Sequence, residues 1–157
     1  MSRVGWGAGA RISCIMTLLA LLGCGSDPET YLVPEGYVGP VVVAFADPSG
    51  EVPTRGENGG EIYRIPADGV LRLSTAVPPG THEIRFFYVD LDGRRTKLPY
   101  DVEEEVVQAF AHVSGATGED EGGKITNWHA FVVGVPSEGD DWIEVRERAT
   151  YRAIGVR

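Results

Sequence analysis

An antiparallel β-sandwich, mainly β with room for one short C-terminal helix, is the fold this sequence predicts, and three observations predict it. From Leu32 onward the apolar runs are short, β-branched or aromatic, and bounded by Pro, Gly and Asp. Strands read this way. Between Cys24 and Arg157 stand 27 Pro and Gly residues, most of them between those runs, a density that suits tight turns without reaching the low-complexity range. Within His82 to Asp90, finally, Ile84, Phe86 and Tyr88 alternate with Glu83, Arg85, Phe87 and Val89, so one face is apolar throughout and the other is mixed.

Taken in order, the expected strands are Val41 to Ala46, Glu61 to Ile65, Val70 to Thr75, His82 to Asp90, Arg94 to Leu98, Glu105 to Val113 and Thr126 to Val135. Turn clusters separate them. Asp47-Pro48-Ser49-Gly50 closes the first, and Asp92-Gly93 lies between the fourth and fifth, a pair suited to the positive φ angles of a tight hairpin. Seven short strands punctuated in this manner fit a sandwich or a barrel. The tail offers a helix from about Glu138 to Ala149, capped by Ser137, with Trp142, Val145 and Ala149 at helical spacing and Asp140 and Asp141 near its positive end. A strand over Trp142 to Arg146 fits nearly as well, and periodicity leaves the two open.

The first 23 residues are a different kind of polymer. They hold Arg3 and Arg11 but no Asp or Glu, and Ile12 to Gly23 is an apolar run too short to span a bilayer, which takes about 20 apolar residues. The run ends in Leu21-Leu22-Gly23-Cys24, followed by the polar Gly25-Ser26-Asp27-Pro28-Glu29-Thr30. This resembles a bacterial lipoprotein signal peptide, and the resemblance implies transfer of a diacylglycerol group to the Cys24 thiol, cleavage between Gly23 and Cys24, and a lipidated Cys24 that carries acyl chains such as palmitate. Gly25 in place of Asp implies, by resemblance to enterobacterial sorting, the outer membrane of a two-membrane cell. Cys14 leaves with the signal, so the mature chain keeps one thiol and forms no internal disulfide. The organisation expected is a signal peptide over 1–23, an acylated Cys and short linker over 24–30, and one domain over 31–157.

From Cys24 onward 12 basic side chains face 23 acidic ones, a formal net charge of −11. That balance argues against nucleic acid and against unaided binding to anionic lipid. The acidic stretches Asp101 to Glu105 and Glu119 to Glu121 read as solvated loops or strand edges.

Candidate chemistry is sparse. Gly118 to Lys124 has the glycine and lysine spacing of a phosphate loop, but Ile125 stands where a hydroxyl is needed and three acids fill the loop. Asp90-Leu91-Asp92-Gly93 has the opening of a calcium loop, yet Arg94, Arg95 and Lys97 occupy the downstream ligand positions. His82, His112 and His129 fall on three different expected strands, so a metal site would need all three to converge. No metal and no cofactor is expected. Among the aromatic residues, Trp128 and its neighbour His129 are the pair to test as a binding face for a glycan or protein partner, against the ordinary fate of burial.

Val33-Pro34-Glu35-Gly36-Tyr37-Val38-Gly39-Pro40-Val41-Val42-Val43, Tyr63-Arg64-Ile65-Pro66-Ala67-Asp68-Gly69-Val70-Leu71 and Phe87-Tyr88-Val89-Asp90 with Asp92-Gly93 resemble a family of uncharacterised bacterial lipoproteins classed as a domain of unknown function. The resemblance carries no functional residue. Asp68-Gly69-Val70-Leu71-Arg72-Leu73 followed by Pro78-Pro79-Gly80-Thr81-His82-Glu83-Ile84-Arg85-Phe86 is similar, more distantly, to transthyretin-like sandwiches, with an immunoglobulin-like arrangement as the other form. Those modules mostly bind, brace or display. The expectation is a monomeric or weakly associating envelope lipoprotein, held to membrane lipid through Cys24, with a structural or binding role. The alternative is an envelope hydrolase or metal-dependent enzyme whose site is assembled from dispersed His and carboxylates, and a cleft gathering them would discriminate. An accessory subunit of an envelope complex is a third reading, marked by an exposed apolar patch.

Overall fold

Strands β1 (Glu29–Pro34), β2 (Gly39–Ala44), β3 (Thr54–Arg55), β4 (Glu61–Arg64), β5 (Val70–Arg72), β6 (Ile84–Val89), β7 (Arg95–Lys97), β8 (Gln108–Thr117) and β9 (Thr126–Gly134) precede a 3-10 turn at Pro136–Glu138 and helix α1 (Trp142–Ile154). The structure, a computed structural model, describes residues 28–57, 59–117, 126–138 and 141–155. One sheet has the order β3-β4-β1-β6-β7 and the other β5-β2-β9-β8. Between them lie Tyr31, Val33, Val41, Val43, Phe45, Tyr63, Leu71, Phe86, Phe131 and Val133. A β-sandwich with a C-terminal helix is therefore the fold.

Each of the seven expected strands is present. Two more join them, β1 and the short edge strand β3, and β1 proves to be the middle of its sheet. It begins at Glu29, two residues inside the stretch expected to be linker. The pairing also differs from the antiparallel expectation, because β1 runs parallel to both β4 and β6, and β2 runs parallel to β5. The cause is connectivity. The chain passes from β1 into the opposite sheet before returning as β3 and then β4, and strands separated by such a crossover can align in parallel where a tight turn would reverse them.

The hairpins that do reverse are local. Between β6 and β7, Gly93 takes φ 82° and its N–H donates to the Asp90 carbonyl. Asp90 Oδ1 accepts the N–H groups of Asp92 and Arg94 at 2.9 and 2.8 Å, and its Oδ2 accepts Arg94 Nε at 3.0 Å. The carboxylate suspected of holding calcium is thus occupied in closing the turn. At the β4–β5 turn, Gly69 sits at φ 77°, and a side chain there would meet the Tyr37 hydroxyl.

Helix α1 resolves the ambiguity of the tail in favour of the helix, beginning at Trp142 and not at Glu138. It covers the outer face of the second sheet, packing Ala149 and Ala153 against Val42 and Ala130. Strand β2 is consequently buried on both faces, which accounts for its unbroken apolar run. Gly155 ends the helix in the left-handed conformation, and Arg72 Nη2 donates to the Ala153 carbonyl at 2.6 Å. A cation placed there suits the negative end of the helix.

Candidate functional site

Strand β8 contains an irregularity that sets the chemistry of the interior. Phe110 pairs with Val132 and Val113 with Ala130, so Ala111 and His112 together oppose one residue. Ala111 takes φ 53°, a left-handed conformation uncommon outside glycine. Its carbonyl accepts Arg146 Nη1 of the helix at 2.5 Å. A bulge inserts one residue and reverses the facing of those after it. Here Val113 turns toward the helix, while the His112 ring enters the sandwich beside Tyr31, Tyr100, His129 and Phe131.

Around that ring the two sheets enclose a polar cluster. Tyr31 Oη lies 2.7 Å from His129 Nδ1 and donates to Glu29 Oε2 at 3.1 Å, and Nδ1 approaches Oε2 at 3.7 Å. All three residues are buried. Burial pushes the Glu29 carboxyl and the Tyr31 hydroxyl up. It pulls His129 down to about 4, helped by the nearby charges of His112 and His82, and lowers His112, which Arg146 also disfavours as a cation. The close approach of His129 to Glu29 is therefore no ion pair at neutral pH, since the imidazole is uncharged. A parallel pair stands beside it, where Tyr63 Oη donates to Glu61 at 2.7 Å.

Two hydrogen-bonding patterns satisfy Tyr31. In one, His129 Nδ1–H donates to the hydroxyl oxygen and the hydroxyl donates to ionised Glu29; in the other, protonated Glu29 donates to Tyr31, which donates to bare Nδ1. They differ by one proton held within the cluster. Because Tyr31 serves both neighbours, Tyr31→Phe leaves two buried polar groups without their partner. Its expected cost is about 1–3 kcal/mol, measured as a lowered urea midpoint. An unchanged midpoint would show that the hydroxyl is dispensable.

The sequence-predicted sites fall as follows. Trp128 and His129, the pair to test as a binding face, do not share an exposed face, because successive strand residues point to opposite faces. His129 lies in the sandwich interior with its ring 4.8 Å from that of Phe45. Trp128 turns the other way, against the helix-covered face and over Gly115, where a side chain would strike its ring. Arg95 lies in β7 of the other sheet, and Arg94 in the turn that leads into it. Of the three histidines, the fold brings His112 and His129 together with Glu29 and leaves His82 outside, its Nε2 3.0 Å from the Pro79 carbonyl. A recess of about 140 Å³ lined by Glu29, Glu61, Arg55 and His82 meets the cluster only at Glu29. Among the described residues no three His, Cys, Asp or Glu side chains are grouped to hold a metal, and no helix is long and apolar enough to cross a membrane. Gly23, Cys24 and the Gly118 to Lys124 loop lie outside the described residues. Glu29 and Tyr31 escaped the sequence reading; the run Tyr31-Leu32-Val33 between two prolines was the available signal.

Comparison with known proteins agrees with this architecture. A family model described as a family of unknown function (DUF6843) matches residues 25–140. No curated protein matches the chain by sequence. A crystal structure of a candidate lipoprotein from Bacillus anthracis superposes with a TM-score of 0.58 at 21% identity, covering 83% of this chain and 96% of that one. At that identity the likeness is one of fold.

Proposed function

We propose, for a chain that belongs to this family of unknown function, a lipid-anchored protein of the cell envelope whose sandwich binds or braces and does not catalyse. Residues 1–23 serve as the signal, and Cys24 carries the acyl chains, palmitate among them. One observation carries the reading. Strand β1 opens at Glu29 and Tyr31 is already fully buried in the core, so the packed domain begins within a few residues of Cys24. A single acyl chain holds a protein marginally, whereas two or more hold it firmly. The lipoprotein description of the Bacillus anthracis structure supports the same reading. In a two-membrane cell, Gly25 favours the outer membrane.

The closed interior supports a non-catalytic role. Its ionisable groups are the kind that hydrolases use, but Tyr31, His129 and Glu29 are sealed between the sheets, and the recess beside them touches only the carboxylate end. Catalysis needs such groups to reach a substrate. A protein or glycan partner in the envelope is the remaining role for the surface. The test is the intact mass of protein purified from its own host. Loss of residues 1–23 together with the added mass of a diacylglyceryl group and a further acyl chain is the expected result; an unmodified chain would overturn the reading.

A further inference from the structure

The outer face of the first sheet is not covered by the helix, which packs on the second. Its strand register places side chains in rows. Arg64, Leu32, Phe87 and Lys97 stand side by side across β4, β1, β6 and β7. Ile62, Thr30 and Arg85 form a second row, and Pro34, Val89 and Arg95 a third. An apolar centre is thus flanked by cations. In a chain with this acidic excess, that sign of charge has collected on one side.

Most other cations of the fold are engaged. Arg72 pairs with Asp47, Arg94 with Asp90 and Asp92, and Arg148 with Glu144, while Arg146 is spent on the Ala111 carbonyl. On the open face Arg85 pairs with Glu83 at 2.8 Å. Arg64, Arg95 and Lys97, and Arg55 at the edge, make no ion pair among the described residues. All four are exposed. Arg55, Arg85 and Arg95 line one groove of about 480 Å³ with Glu57, and its wall includes Pro28.

Pro28 is where the chain from Cys24 enters the domain. Four residues reach at most about 14 Å even when fully extended. We infer that this face rests on the anionic headgroups of the membrane that holds Cys24. The inference depends on the anchor proposed above, which supplies the proximity that a domain of net negative charge would not gain unaided. Basic side chains next to a membrane are attracted to its anionic lipids within about a Debye length. With the acidic remainder of the surface repelled, the tether and the cationic face together fix which way the domain sits.

The test uses the acylated protein purified from its host and reconstituted in vesicles of phosphatidylcholine, alone or mixed with phosphatidylglycerol. Amide exchange across residues 84–97 is expected to slow about five-fold on the anionic vesicles relative to the neutral ones. Protection should vanish at about 1 M salt, and in the triple variant Arg64→Gln, Arg95→Gln, Lys97→Gln. These exposed substitutions leave the core intact, and unchanged exchange across β2 and β9 verifies that they do. Exchange that ignores lipid composition, or protection that survives in the triple variant, overturns the contact and leaves the anchor standing. A mass spectrum showing no acyl group on Cys24 overturns both.

Discussion

Phe131→Ala is expected to cost about 3–5 kcal/mol, a large share of the stability of a domain this size. Phe131 is fully buried in β9. Its ring meets Phe86 edge-on at 4.8 Å and Tyr31 edge-on at 5.3 Å, so it joins one sheet to the other. Edge-to-face pairs add to area burial, and the neighbouring strands are too constrained by their ladders to close the void. The loss has a chemical side as well. His112 packs against Phe131 at 6.3 Å, and a cavity beside two imidazoles admits water to the polar cluster. Equilibrium urea denaturation measures the effect; Phe110→Ala, on the half-buried outer face of the same sheet, is the control and should lose less. A loss below about 1 kcal/mol for Phe131→Ala would mean that the two sheets are not joined through this ring.

The second large effect is acid lability between pH 6.5 and 4. Burial holds His129 near 4 and lowers His112. Unfolded, each titrates near 6.5. Below that pH the unfolded chain takes up protons that the folded interior refuses, so stability is constant above about 6.5 and falls as the pH drops through the gap. For His129 the gap corresponds to about 3 kcal/mol. Glu29 works the other way. Its raised pKa gives a contribution that is full below the unfolded carboxyl value and is lost as pH rises through the folded one. It therefore opposes the slope from the histidines. The titratable and charged groups that face these rings are Tyr31, Glu29, Tyr100 and His82, with Arg146 reaching in from the helix. Urea midpoints at pH 4.5 and 7.5 should differ in the wild type, and the difference should shrink in a His112→Gln, His129→Gln double variant. Equal midpoints at the two pH values would contradict the buried, neutral assignment.

The strands legible in the sequence were those whose side chains alternate or whose ends carry Gly, Pro or Asp. The run Ile84 to Val89 announced its inner face by period alone, and Asp92-Gly93 announced the hairpin after it. What stayed hidden depends on partners distant in the chain. Glu29 opens β1 as a charged residue after a polar stretch, and nothing local shows that Tyr31 will donate to it, or that His129, 98 residues beyond Tyr31, will complete the buried cluster. The bulge at Ala111 is likewise silent in the sequence, because an alanine carries no mark of positive φ. Without that bulge His112 would face the helix, and the pairing of buried His129 with half-buried His112 would not arise. Trp128 and His129 were legible as a conspicuous pair, but adjacency in a strand separates side chains onto opposite faces.

Metabolic labelling with a fatty acid in the native host tests the central claim most directly. The wild-type protein should carry the label and Cys24→Ser should carry none, with both chains present at comparable amounts on an immunoblot. Label retained by the serine variant, or absent from the wild type, would contradict the account that Cys24 ties this sandwich to its membrane.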